Sequence, residues 1–565
     1  MSAPISDPLT EPVTEPEITP TPEVELSPED VRPGIPLPDL LHGRRHAAVD
    51  RELIRELLDT HVLGAEPETE VTLPDGDQKI ETSPWQSESF HRDLFVGELI
   101  DDAFRLEWQG RRYPVARRFL LRTLTGAPTD LAVIRFRQEI LTELERSLEL
   151  REEAFGLFRD LFTLLSLLKS PRSAQLDARS FRLEVLEQGQ KVVERMVCGF
   201  SEARSGLRRL HEVGEEIRRT PPYRLLSDLL DYDRHLARLT VQLQIGSDGS
   251  LREMTFLQMS ENDRNLHYRP PWRRWLDRLR LLWRGYPLSG KEVAKRLIVE
   301  VYLEVSPVLR TLLQVMGHLE VYLATLAFRD WAQSLGLEVS LAELDVEAAP
   351  RFEDLFNPLL VRQGIVPVPC TLEGIHRHGI VVVTGPNSGG KTRLLQGLGL
   401  AQMLGQSGLY VPARRARLPV VEGLFASILD HEDVDQIEGR LGSELVRIRK
   451  LFEAARPGSL VILDELCSGT NPSEAVEIFS MVLRLLSSLT PLAWISTHFL
   501  DFAHQLQEAP PVPHLEFLQV EMDAAQRSTY QFVPGVASTS MAAGTARRLG
   551  VSFEELSALI ARRSG

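Results

Sequence analysis

The sequence predicts a multidomain protein in which an all-α helical core region, residues 86–350, is followed by an α/β domain, residues 351–565. Three observations carry this. The chain has 565 residues, too many for one hydrophobic core. Leu141, Leu144, Leu148, Phe155, Phe158, Phe162 and Leu165 recur at spacings of three, four and seven, which sets them on one helical face. Beyond a Pro-marked junction near 350–370, short β-branched runs alternate with apolar-periodic stretches, the grammar of a parallel sheet covered by helices.

Composition narrows the class. With 43% hydrophobic and 25% charged residues the chain reads as globular. Cys198, Cys370 and Cys467 are too few and too scattered for a disulfide framework, and the N-terminus shows no secretory pattern. Both features lead to the expectation of a cytoplasmic protein. The most apolar stretch, 296–328, carries Glu300, Glu304, Arg310 and Glu320, against an ordinary membrane span. The net charge of −16 argues against a general DNA-coating protein, yet Asp7, Glu11, Glu15, Glu17, Glu23, Glu25, Glu29 and Asp30 supply half of it.

Residues 1–38, rich in Pro, Glu, Thr and Ser, read as a disordered acidic tail, and 39–85 as a lead-in segment. Within the helical region, two β-prone runs around Gly246-Ser-Asp-Gly249 predict a small β element near 238–259. Segment 264–286 interleaves Arg269, Arg273, Arg274 and Arg278 with Trp272, Trp275 and Trp283, which suits phosphate contact plus stacking on DNA. An amphipathic helix that buries its Trp residues and solvates its Arg residues fits equally well, and membrane-surface docking fits less well. A long helix is expected over 291–335, with Pro307 as a point of kinking.

The chemistry concentrates downstream. In GIVVVTGPNSGGKTRLLQGLGLAQML a β-branched run, a Gly-rich loop and an apolar helix follow one another, and Gly385, Pro386, Asn387, Ser388, Gly389, Gly390, Lys391 and Thr392 satisfy G-x-x-x-x-G-K-[ST]. In such a P-loop the backbone N–H groups curl around phosphates, Lys391 offers a point charge, Thr392 offers a hydroxyl to Mg²⁺, and the helix dipole favours the anion. The run SLVILDE then supplies a buried strand with Asp464 at its carboxyl end as the metal-side acid and Glu465 as the group that polarises the attacking water. A third strand, PLAWIST, ends at Ser496-Thr497-His498, which makes His498 a candidate γ-phosphate sensor. ATP and Mg²⁺ are the cofactors this constellation calls for.

TGPNSGGKT, LVILDELCSGTNPSEA and ISTHF, in that order, resemble the P-loop, Walker B plus D-loop, and histidine motif of the MutS family, over about 350–545. MGHLEVYLATLAFRDWA is similar to the end of that family's lever, and no LSGGQ-like signature of the ABC class precedes SLVILDE. The resemblance implies a P-loop NTPase domain of the MutS/ABC type that pairs with a second copy, so that the chain acts as a homodimer. The D-loop would be Gly469-Thr470-Asn471-Pro472 and the signature region near Glu438–Leu445, with Gly439 where the family usually has Ser. Phe356 would lie near the adenine, although plain core packing explains it as well.

No Phe-x-Glu mismatch wedge is visible before residue 90, and the stretch after His498 is shorter than a nuclease domain needs. The expectation is therefore a MutS-like, ATP-dependent DNA-binding ATPase of mismatch repair or recombination, without membrane association. A nucleotide-switched protein scaffold without DNA recognition, or an ABC/SMC-like ATPase, are the alternatives. His376 and His378 make two ligands only and read as a solvated turn, and Cys467 reads as a small buried residue.

Overall fold

The computed structural model describes residues 36–59, 83–169, 178–224, 226–227, 230, 238–245, 251–260, 290–428, 439–467, 471–538, 555–557 and 560. The acidic segment up to residue 35 and the Arg/Trp segment with Arg269, Arg273, Arg274 and Arg278 lie outside them. Residues 36–38, assigned to the tail on composition, belong to the folded body: Leu37 is buried and Pro38 bridges His46.

The apolar periodicity from 141 to 165 falls on two helices rather than one. Asp130 caps the helix Leu131–Arg146 by accepting from the Ala132 N–H at 2.8 Å. Ser147 then stops it and caps the helix Leu148–Leu168, its hydroxyl accepting from the Leu150 N–H. Leu148, at the first turn after this break, is 66% exposed, whereas Leu141, Leu144, Phe155, Phe158 and Leu165 are buried. The region is also not purely helical. Strands β1 (Leu106–Trp108) and β2 (Arg111–Tyr113) form a hairpin whose Tyr113 sits edge-on to Phe155, Phe158 and Phe162. A second antiparallel hairpin pairs β3 (Arg238–Ile245) with β4 (Leu251–Ser260).

The long helix Gly290–Ser334 runs through Pro307 without a break. Its span Val301–Ser334 has the length and apolarity of a membrane-crossing helix, but its apolar window is buried inside the fold. It serves as the spine of the helical half, packing against Leu148–Leu168, Ala178–Gly199 and Arg51–Asp59. Gln314 on this helix accepts from the Asp50 N–H and donates to the Ala48 carbonyl. Tyr322 donates its hydroxyl to the Leu40 carbonyl. These three bonds fasten the N-terminal segment to the spine.

Strands β5 (Ser340–Leu341) and β6 (Glu343–Asp345) already belong to the sheets of the α/β half, so that half begins about ten residues before 351. β6, β11 (Arg415–Pro419), β7 (Arg351–Leu355) and β8 (Cys370–Leu372) form a four-stranded sheet, and β5 pairs with β10 (Tyr410–Val411). The main sheet has the order β12 (Leu424–Ser427), β13 (Leu460–Leu463), β14 (Leu492–Thr497), β9 (Ile380–Thr384), β15 (Leu515–Met522), β16 (Ser528–Pro534). All neighbours are parallel except the β15–β16 pair. Its central strands are buried on both faces, which is why they read as unbroken apolar runs.

One face packs on the helices Pro472–Ser487 and Leu500–Glu508 through Val461, Leu463, Ala493 and Ile495. The other face packs on the helix Lys391–Gln406 through Val381, Val383, Ile462 and Trp494. That helix is held between the sheet and the N-terminal segment, so closely that a Cβ on Gly399 would lie 2.7 Å from Leu94 and 3.0 Å from Ile462. The helical and α/β halves thus share one core, which runs from Leu37 to Phe532.

Two further contacts lock the halves together. Arg137, fully buried, donates to the carbonyls of Leu41 at 2.8 Å and Ser407 at 3.1 Å. The segment 85–93 lies along the edge strand β12: Trp85 donates to the Val421 carbonyl, Ser89 to the Leu424 carbonyl, and Asp93 accepts from the Ile428 N–H. An exposed strand edge is an aggregation template, and this segment covers it.

Glu320, wholly buried on the long helix, accepts from the Ala116 N–H at the start of the helix Arg117–Thr125. Burial raises its carboxyl pKa well above the ordinary value, so folding favours the protonated acid. Stability from this group is complete below its unfolded pKa of 4.5 and falls as pH rises above that value. Glu320→Gln keeps the acceptor without the proton to lose. It should raise the melting temperature by a few degrees at about pH 8, with the advantage shrinking toward about pH 4.5.

Candidate nucleotide site

The site is assembled by register. Thr384, the last residue of β9, pairs with Thr497 of β14, and Leu463 of β13 pairs with Ile495. One step further along, Asp464 stands beside Ser496, at the carboxyl ends where parallel sheets place ligands. The loop 385–390 leaves β9 and enters the helix Lys391–Gln406. Gly385 has φ +142, and a Cβ there would meet Val520 at 2.6 Å. Only glycine fits such a backbone against that neighbour.

Lys391 is 4% exposed, and its ammonium donates to the carbonyls of Gly385 at 3.0 Å and Pro386 at 3.1 Å. Burial lowers its pKa, while Glu465 and Asp464 act in the opposite direction. Thr392 donates its hydroxyl to Asp464 Oδ2 at 2.6 Å. Asp464 is 6% exposed; burial raises its pKa, and the hydrogen bonds from Ser496 and Thr392 oppose the rise. Glu465 follows with a left-handed backbone, φ 48. These groups face a cleft of about 2150 Å³ lined by the loop residues Pro386, Asn387, Ser388 and Gly390, by Lys391 and Thr392, and by both acids.

The other sequence-derived candidates are placed less uniformly. Phe356 lines the cleft but is 2% exposed and packs with Ala332 and Leu337 in a small apolar cluster, the core-packing alternative. The accessible apolar surface in the cleft comes instead from Tyr530, Ile365, Val366, Val368 and Val446. His498 is exposed, its ring lies 4.2 Å from that of Phe499, and it is not among the cleft residues. Glu438 and the D-loop residues Gly469 and Thr470 lie outside the described residues. Asn471 caps the helix Pro472–Ser487, and Gly439 opens the helix Gly439–Ala454.

Glu444 on the latter helix accepts from the Cys467 N–H, and Cys467 is buried, its thiol pushed up to about 12 by burial and by Glu444. His376 stacks on His514 at 3.6 Å beside His378. Among the described residues no group of three or more His, Cys, Asp or Glu is arranged to hold a metal ion.

Two features of the site carry no signal in the local sequence. Gln86, Glu88, Ser89, Arg92, Asp93 and Phe95, nearly three hundred residues upstream of the loop, form one wall of the cleft. Asp93 accepts from Arg447 Nη2 at 2.6 Å and so ties this wall to the helix Gly439–Ala454. No local pattern announces a pairing across 354 positions. Ser496 is the second feature; the polar closure of β14 is visible in the sequence, but nothing local separates its serine from its histidine.

A parallel sheet, a Gly-rich loop at the carboxyl end of one strand, and an acid pair at the end of a second strand define a P-loop domain. Comparison with known proteins agrees: residues 381–555 match the family model of MutS domain V. The chain is 35% identical over 197 residues to the Endonuclease MutS2 of Thermomicrobium roseum, a stretch that is 34% of this chain and 24% of that protein. With the Endonuclease MutS2 of Alkaliphilus metalliredigens it shares 30% over 258 residues, 45% of this chain and 32% of the relative. With that of Thermus thermophilus it shares 34% over 180 residues, 32% and 24% of the two chains. The likeness to MutS-family proteins thus lies in the C-terminal part of the chain, and the chain spans about a quarter to a third of the relatives' length.

Asp93→Ala removes the acceptor shared by Arg447 and the Ile428 N–H. It should lower unfolding stability by about 1–3 kcal/mol. In a denaturant double-mutant cycle with Arg447→Ala the two losses should be less than additive.

Proposed function

We propose that this chain is a MutS-family ATPase that binds ATP with Mg²⁺ in the cleft described above and hydrolyses it to ADP and phosphate. The observation that carries the reading is the Thr392 hydroxyl on the Asp464 carboxylate at 2.6 Å, directly after the Gly-rich loop. A hydroxyl and a carboxylate oxygen side by side at a phosphate cleft are the hard donors that Mg²⁺ takes, with phosphate and water completing its shell. Thr392 and Asp464 would hold the ion, and the bound ion would neutralise charge on the β- and γ-phosphates.

The remaining work falls to the chain's own groups. The backbone of Gly385–Gly390 surrounds the phosphates at the helix N-terminus. Lys391 exchanges the loop carbonyls it holds for phosphate oxygens. Glu465 orients and polarises the attacking water, because its left-handed turn lets it follow Asp464 into the cleft. His498, one residue past the end of β14, senses the γ-phosphate by turning from Phe499 toward the cleft. Tyr530 and the exposed Ile365 and Val366, rather than the ring of Phe356, offer apolar surface to a base.

Two copies would pair through their ATPase domains. Leu445, Val446, Met481 and Leu485 remain exposed on the helices that carry the signature region and follow the D-loop, which supports this pairing. Nucleotide-dependent motion of these helices would reach the long helix through the Asp93–Arg447 contact and the shared core. DNA is the proposed partner of the helical half, in repair or recombination, with Arg269, Arg273, Arg274 and Arg278 as its contacts and the cytoplasm as the setting. Similarity to endonucleases of the MutS2 type supports a nucleic-acid role.

Glu465→Ala should retain ATP, read by a fluorescent analogue, while turnover falls by about 10²–10⁴-fold; unchanged turnover refutes the assignment. Duplex, mismatched, branched and single-stranded DNA should each be tested for stimulation of turnover. Stimulation that weakens with rising salt and with Arg273→Ala/Arg274→Ala supports the DNA role. Failure to bind any of the four at low salt removes that role and leaves the ATPase.

A further inference from the structure

Of the three polar residues that close β14, the reading above uses only His498, yet Ser496 is the one in contact with both acids. Its side chain is completely buried. The hydroxyl donates to Asp464 Oδ1 at 2.5 Å and accepts from the Glu465 backbone N–H at 2.8 Å. A hydroxyl has one proton to give and lone pairs to receive, so the proton fixes the carboxylate and a lone pair holds the peptide that follows it.

The two Asp464 oxygens are thereby divided: Oδ1 is held by Ser496 inside the sheet and Oδ2 is presented to Thr392 at the cleft. The Asp464 N–H donates to the Ser427 carbonyl on the other flank, at 2.9 Å. The backbone at Glu465 is left-handed, a conformation that is unfavourable for a residue with a Cβ. The bond from its N–H to Ser496 offsets part of that cost.

We propose that Ser496 is a positioning residue for the acid pair. It turns one Asp464 oxygen toward the metal position and sets the turn that carries Glu465 to the water position. This rests on the assignment of Asp464 and Glu465 made above. A residue that merely filled the space between β13 and β14 would affect folding alone. One that aims the carboxylate controls how well the ion is held, and groups placed behind a ligand in this way are worth about 10–100-fold in metal affinity or activity.

The test compares the unsubstituted protein with Ser496→Ala, Ser496→Cys and Ser496→Thr. Each is titrated with a fluorescent ATP analogue in EDTA and in Mg²⁺, and turnover is followed against Mg²⁺ concentration. Ser496→Ala and Ser496→Cys should bind the analogue in EDTA like the unsubstituted protein, raise the half-saturating Mg²⁺ by about 10-fold or more, and lower kcat. Ser496→Thr, which keeps the hydroxyl, should return the half-saturating Mg²⁺ to within about 3-fold of the original.

The near-isosteric cysteine variant guards against a folding failure in the alanine variant. Unchanged Mg²⁺ half-saturation and kcat in the folded alanine or cysteine variant overturns the proposal, as does a threonine variant no better than alanine. If the unsubstituted protein shows no Mg²⁺-dependent binding, the nucleotide reading falls and this one with it. Normal binding with unaltered variants removes this one alone.

Discussion

The hydrogen-bonded register of the parallel strands β13, β14 and β9 is the constraint on which the rest depends. Because Leu463 faces Ile495 and Thr497 faces Thr384, the residues that follow each strand emerge along one line. A slip by one residue would turn every side chain to the opposite face, separating Asp464 from both Ser496 and Thr392. The apolar packing of Val461 and Ile495 on one face and Val381 and Trp494 on the other makes such a slip costly. Packing of the core thus sets the spacing of the polar groups at its rim, and no charged group has to find its partner unaided.

The sequence was most informative where structure is local. The strand–loop–helix at 380–406 and the strand LVIL before Asp464 needed only period, glycine placement and an acid at a strand end to be read. The helical region was legible as helix, but its division at Ser147 was not. The spacing of Leu144, Leu148 and Phe155 continues across the cap, and Leu148 proves exposed although it fits the pattern. Phe356 illustrates a different difficulty. The family resemblance implies a place near the adenine for it, while its burial with Ala332 and Leu337 is decided by residues distant in the chain.

The division into separate helical and α/β units was a further inference that tertiary structure modified. Composition and element type change near residue 350, but packing does not respect that change. Arg137 joins Leu41 to Ser407, Leu94 packs against Gly399, and β5 and β6 enter the sheets before the junction near residue 350. Such contacts depend on complementary surfaces rather than on any pattern within a window of sequence. The wall that residues 86–95 contribute to the cleft belongs to the same category.

The placement of Trp85, Ser89 and Asp93 against strand β12 also bears on how the protein is made. Their partners lie 335 or more positions later. A ribosome adding about 5–20 residues per second leaves those side chains without their strand for tens of seconds. During synthesis the helical half therefore waits incomplete, with Trp85 and Leu94 lacking the surfaces that bury them in the finished fold. Its closure has to wait until strand β12 has been made.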